Sequence, residues 1–405
     1  MDQETKKIKF PENFFWGCST SAHQVEGGLN NDWSEWENSP KRLAELKNKQ
    51  LDPIDFISGQ AANSFLENNA DIACLKELNN NTYRFSIDWS RIEPEEGQFN
   101  LEALEYYKDF IFKLKANGLE PFVTLWHWPL PLWLSHRGGW TKKETANSFE
   151  KFTNKVLEYL GDDVNFWITL NEPMVYVGQS YLIGEWPPQK RNIIQYLQVI
   201  FNLIRAHKLS FNAIKKYKID AQVGIAQHCI YFEPAGNKFI NRILAKIGNW
   251  WSNDFFLNKI VKYQDFIGLN YYFHSLVNYN FNGQYSYEKK SDIDWGLHPE
   301  GIYHCLKNLA KYKKIIYITE NGLADKGDQY RSWYIKEILE NVNRAMTENI
   351  EVGGYFHWSL IDNFEWAFGF APCFGLYEVN HQTFERIARP SAQFYADICK
   401  NNGIE

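Results

Sequence analysis

Short apolar runs recur along the chain, separated by longer stretches in which apolar residues return every three or four positions. Eight runs have strand character: 14–20, 82–88, 120–126, 164–171, 222–227, 265–271, 315–320 and 352–359. Leu104, Tyr107, Ile111 and Leu114 share one helical face, and Gly118 is placed to end that helix. A second helix is predicted within 62–78, turning Phe65, Ile72, Leu75 and Leu78 inward. Eight β-then-α units in one chain imply a parallel sheet closed into a single α/β domain, a (β/α)8 TIM barrel spanning residues 1–405. Strands buried on both faces read as continuous apolar runs, as these do.

That architecture places chemistry at the carboxyl ends of the strands. Two glutamates stand there. Glu172 follows the fourth run in Thr169-Leu170-Asn171-Glu172-Pro173, and Glu320 closes the seventh in Tyr317-Ile318-Thr319-Glu320-Asn321-Gly322. A carboxylate at the exit of an apolar strand is costly unless it has a partner or a task. Either could be a structural ion pair, and Asn321-Gly322 could be a type I′ hairpin turn. Two carboxylates facing one barrel mouth are the equipment for cleaving a glycosidic bond.

Composition narrows the alternatives. Aromatic residues make up 17% of the chain, including 16 Trp and 23 Tyr, enough to line a site with faces that stack on sugar rings. The net charge of −6 speaks against a nucleic-acid partner. No apolar run reaches transmembrane length, so no membrane partner is expected. Met1–Lys7 is polar and lacks the apolar centre of a signal peptide. Six scattered cysteines without CxxC spacing read as free thiols, consistent with the cytoplasm. The ten histidines include no HxH or HExxH pattern, so no metal or other cofactor is expected.

The motifs resemble those of glycoside hydrolase family 1, the β-glucosidase and β-galactosidase family, from about Phe14 to Tyr395. The resemblance rests on Phe14-Phe15-Trp16-Gly17 through Gly27, on Tyr83–Arg91, on Thr124-Leu125-Trp126-His127-Trp128, on both glutamate segments and on Trp358–Trp366. It implies a retaining β-glycosidase with Glu320 as nucleophile and Glu172 as acid/base. Arg84 and Tyr272 would hold Glu320 as a carboxylate, with Asn171 in support. Gln24, His127, Glu365 and Trp366 would bind sugar hydroxyls, Trp358 would form a stacking floor through a cis bond to Ser359, and Phe374 would close one side. Trp295 is placed to touch the aglycone. The implied partner is a small β-glycoside or short oligosaccharide.

Three departures from the family pattern bear on the outer cleft. Segments 28–61 and 232–264 are short, which predicts an open, shallow aglycone side. Trp128–Leu134 and the brief loop after Gly322 look most like the archaeal-type branch. Pro187-Pro188-Gln189 stands where an Ala-Pro-Gly turn is usual, so the backbone there is expected to change. A transglycosidase sharing the same intermediate, a metal-dependent hydrolase and a non-catalytic sugar-binding barrel are the competing readings.

Overall fold

A computed structural model describes residues 7–280 and 287–405; most of the polar segment Met1–Lys7 lies outside the described residues. Eight parallel strands close into a barrel in sequence order. They are β1 (Phe15–Ser19), β2 (Thr82–Ser86), β3 (Glu120–Trp126), β4 (Phe166–Asn171), β5 (Gln222–Pro234), β6 (Phe266–Val277), β7 (Ile315–Asn321) and β8 (Val352–Trp358). The principal helices after them are α1 (Asn68–Glu77), α2 (Leu101–Ala116), α3 (Glu144–Leu160), α4 (Ile193–Tyr217), α5 (Phe239–Asn249), α6 (Phe255–Ile260), α7 (Gly301–Leu309), α8 (Arg331–Thr347) and α9 (Pro390–Asn401). β8 pairs back onto β1 from Gly354–Phe15 to Trp358–Ser19, leaving no open edge.

The bottom of the barrel is filled by rings. Phe122 and Phe166 stack at 4.1 Å, with Phe15, Phe266, Tyr317 and Phe356 edge-on or tilted around them. Part of the aromatic excess therefore plugs the barrel beneath the site. This plug excludes water from below, so the mouth is the open end.

Two expectations are corrected. The helix predicted within 62–78 begins only at Asn68, because the amides of Ala62 and Ser64 are taken by the Val25 carbonyl. Asn63 sits at φ 56, and Phe65 stacks on Tyr106 under the Arg91 guanidinium instead of facing inward from a helix. Second, β5 and β6 run on past the barrel as a two-stranded ribbon, paired from Ile230–Phe273 to Pro234–Val277. The helix around Tyr107 forms as expected, with Gly118 just past its end at φ 76.

Candidate active site

β4 delivers Glu172 by a sharp change of direction. Its amide still donates to Ala226 of β5, at 2.8 Å, while its φ and ψ of 42° and 58° turn the chain into a short helix opened by Pro173. A left-handed non-glycine residue costs about 1–3 kcal/mol, which the sheet bond and the proline-started helix hold in place. Glu320 stays within β7. The following Asn321-Gly322 is not a hairpin turn: the Asn321 amide group donates to the Tyr271 carbonyl of β6, at 2.7 Å. Any Cβ on Gly322 would stand 1.7 Å from the Trp358 carbonyl oxygen, so β7 and β8 approach too closely there for a side chain.

The two glutamates are 5% and 4% exposed and have unequal partners. Arg84, wholly buried on β2, donates to Glu320 Oε1 at 2.5 Å and to Asn171 Oδ1 at 2.6 Å. Tyr272 donates its hydroxyl to Glu320 Oε2 at 2.9 Å. Glu172 receives one bond, from the Asn270 amide at 2.8 Å. Asn270 also bonds Asn171, at 3.2 Å, and accepts from Thr319 next to Glu320, at 2.7 Å. It therefore ties the two acids together. The sequence does not single out Asn270, because a lone Asn at a strand exit has no distinguishing pattern.

Burial raises the pKa of both acids. For Glu172 the negative field of Glu320 raises it further, and it ends well above its ordinary value. For Glu320 the charge and hydrogen bonds of Arg84, then the Tyr272 hydroxyl, oppose the burial. Arg84 and Tyr272 thus act on Glu320 in the expected direction, although desolvation is the larger effect. Of the two acids, Glu172 is the one more strongly disposed to hold a proton.

The proposed sugar-facing residues gather around the same mouth. A cavity of about 1230 Å³ is lined by His127, Glu172, Tyr272, Trp295, Glu320, Trp358, Glu365, Trp366 and Phe374, among others. His127 Nε2 accepts from Asn171 Nδ2 at 2.9 Å, which fixes the proton on Nδ1. That buried Nδ1 has no acceptor among the described residues. Burial and Arg84 keep the ring neutral, so it presents one N–H donor. Glu365 is pushed up to about 8, first by burial and then by Glu320. Gln24 lies behind it, donating to Glu365 at 3.2 Å and to Asn363 at 2.9 Å. Arg84, Asn171 and Gln24 thus support groups that reach the cavity.

Trp358 is joined to Ser359 by a cis bond and packs with Phe374 and Ala324. Trp366, at φ 51, lies against Trp33 and Trp128, each at 4.5 Å, with His127 stacked at 5.9 Å. Trp295 packs on Phe273 at 4.4 Å on the outer wall.

The outer cleft keeps a wall on this side despite the short segment. Segment 28–61 still supplies Lys41, Arg42, Glu45, Leu46 and Phe56 to its wall, and the volume exceeds the roughly 300–1,000 Å³ usual for ligand pockets. The missing glycine does not straighten the turn after Trp186. Gln189 takes φ 54, the left-handed conformation glycine would adopt freely, and its amide closes on the Trp186 carbonyl at 2.7 Å.

The dispersed histidines also come together in one place that their spacing concealed. Glu233 and His274 of the ribbon and His298 of the loop before α7 bring ligand atoms within 4.8 Å of one another. His274 Nε2 is bonded to Glu233 at 2.8 Å, across the two ribbon strands, and Nδ1 to Tyr287 at 3.0 Å, in the loop beside the ribbon, so both ring nitrogens are already engaged.

Comparison with known proteins agrees with this geometry. The family model described as "Glycosyl hydrolase family 1" matches residues 6–266 and 257–404. A "1,4-beta-D-glucan glucohydrolase" of Thermotoga neapolitana is 32% identical, covering 98% of this chain and 99% of the relative. The alignment extends over 446 positions, so the relative carries segments this chain lacks. The solved β-glycosidase from Pyrococcus horikoshii is 36% identical, covers 98% of this chain and 96% of that one, and superposes with a TM-score of 0.90. A family 1 β-glucosidase from Thermotoga maritima is 31% identical, covers 99% and 100%, and gives 0.91.

Proposed function

The chain belongs to glycosyl hydrolase family 1, and from that premise we propose that it is a retaining β-glycosidase acting on terminal β-D-glucosyl residues, with galactosyl and fucosyl residues as alternatives. The observation that carries this reading is the unequal support of the two acids. Glu320 is held by a guanidinium and a phenol, while Glu172 has one amide and the field of its neighbour.

Glu320 attacks the anomeric carbon as Glu172 protonates the departing glycosidic oxygen, giving a covalent glycosyl ester and a Glu172 carboxylate. Esterification removes the Glu320 charge that had raised the Glu172 pKa. Glu172 is then the base that takes a proton from water, and the ester is cleaved with net retention. Asn270 and Asn171 keep the acids in register, His127 and Glu365 bind hydroxyls, and Trp358 supports the ring face. A T. maritima relative is described in complex with glucoimidazole and, in another structure, with galacto-hydroximolactam, which supports small sugar-like ligands at this mouth. The six cysteines are buried thiols, in keeping with a reducing, cytoplasmic setting.

The test is initial rates on p-nitrophenyl β-glycosides for the wild type and for Glu320→Ala. Glucoside turnover should fall by at least about 10⁴-fold in the variant. An inactive wild type, or an unimpaired variant, overturns the reading.

A further inference from the structure

The surface beside the barrel mouth carries a second feature, unrelated to the acids. α5 exposes Phe239, Ile240, Ile243 and Ile247, and the stripe continues to Trp250 in the π-turn that follows. Phe239, Ile243, Ile247 and Trp250 are spaced four, four and three apart, on one side of the helix. The buried side is narrow, comprising Asn241 and Ala245. The amphipathic face of α5 therefore points outward, the reverse of a helix packed on a barrel.

α4 adds a matching stripe from its first turns, with Ile193, Ile194, Leu197 and Phe201 exposed. The stripes meet at Phe255, which contacts Phe201 at 6.5 Å and Trp250 at 5.6 Å. Phe239 is 77% exposed and Ile194 66%, far outside core behaviour. Scattered single exposed apolar residues are ordinary; nine converging from two helices are not.

Charge identifies what covers this face. The chain is net −6, yet neither 190–219 nor 234–253 contains a single Asp or Glu. Lys190, Arg191, Arg205, Lys238, Arg242, Lys246 and Lys259 are exposed around the stripes, and none forms an ion pair among the described residues. Pairing the face with a second copy would set cations against cations, because neither helix has an acid to offer. An apolar stripe bordered by unpaired cations instead matches the headgroup–acyl boundary of an anionic bilayer.

We propose that α5 and the first half of α4 form an interfacial docking surface for anionic lipid membranes. No helix of the described residues is long and apolar enough to cross a bilayer, so the contact is peripheral. Hydropathy along the sequence, which seeks spanning runs, could not show it. The surface leads to the cleft rim through exposed Leu182 and Ile183, of which Ile183 lines the cavity. A docked molecule thus has its active-site mouth beside the lipid surface.

Flotation of the full chain with phosphatidylcholine–phosphatidylserine vesicles tests this, with pure phosphatidylcholine vesicles and added salt as comparisons. The wild type should float with the anionic vesicles and be released by salt. Binding should fall about tenfold in Phe239→Ser combined with Ile247→Ser, and likewise in Lys238→Glu, Arg242→Glu and Lys246→Glu together. Turnover of soluble glycosides should be unchanged in both variants, which certifies their fold. Failure of the wild type to float, or equal flotation of the variants, overturns the proposal. So does a dimer in light scattering that the serine variant converts to monomer without any vesicle binding, for then a second copy covers the face.

Discussion

At the scale of single residues, the site depends on which partner each acid has. Asn270 lowers the pKa of both, through its bond to Glu172 and its contribution at Glu320. Removing it should raise both values. The proposed mechanism needs Glu320 ionised and Glu172 protonated, so both limbs of the bell in kcat/KM should move to higher pH in Asn270→Ala. The rate at the optimum should also fall by about 10-fold or more, because Glu172 loses its orienting bond. A profile that drops without moving would assign Asn270 to packing alone. The two glutamates were legible in the sequence because charge at the exit of an apolar strand is conspicuous. Asn270 was not, because its partners arrive from β4 and β7 and its own segment gives no sign of them.

At the scale of elements, the barrel strands were legible because each is an apolar run closed off by turn residues. What escaped were the outer halves of β5 and β6. Beyond Cys229 the ribbon is only half-buried and pairs chiefly with itself, so its pattern mixes both characters. The false start of the helix after Ala62 has a similar cause: its amides are claimed by a segment about forty residues away. The join between β7 and β8 offers a sharp test of an element-level constraint. In Gly322→Ala the new methyl meets main-chain atoms of Trp358, which cannot swing aside like a side chain. Stability should fall by about 1–3 kcal/mol in urea unfolding, and KM for glycosides should rise as the Trp358 floor shifts. An unchanged urea midpoint would mean that the strands are not pressed together at this point.

At the scale of the whole molecule, the site's buried acids belong to a larger set that couples folding to pH. Burial is the first cause that raises Glu26 and Asp32 to about 7, from 4.5 and 3.8, and Glu365 to about 8, from 4.5. Each is protonated when folded and ionised when unfolded across that gap. Their stabilisation is complete below the unfolded value and is lost as pH rises through the folded one. Buried His207 and His228 run the other way. Lowered to about 4 from 6.5, they make unfolding take up protons, so stability grows as pH rises between those values. The two slopes oppose each other from about pH 4.5 to 6.5, and Tm should change little there. Above about 6.5 only the acids still titrate, and Tm should decline toward pH 8. Glu365→Gln removes the most strongly raised of these three acids and keeps its shape. Scanning calorimetry should show a flatter decline between pH 6.5 and 8 for this variant, while its kcat/KM is reduced because a sugar-facing carboxyl has gone. If the slope is unchanged, Glu365 is already ionised in the fold at pH 6.5 and places a second negative charge near Glu320 instead of a proton.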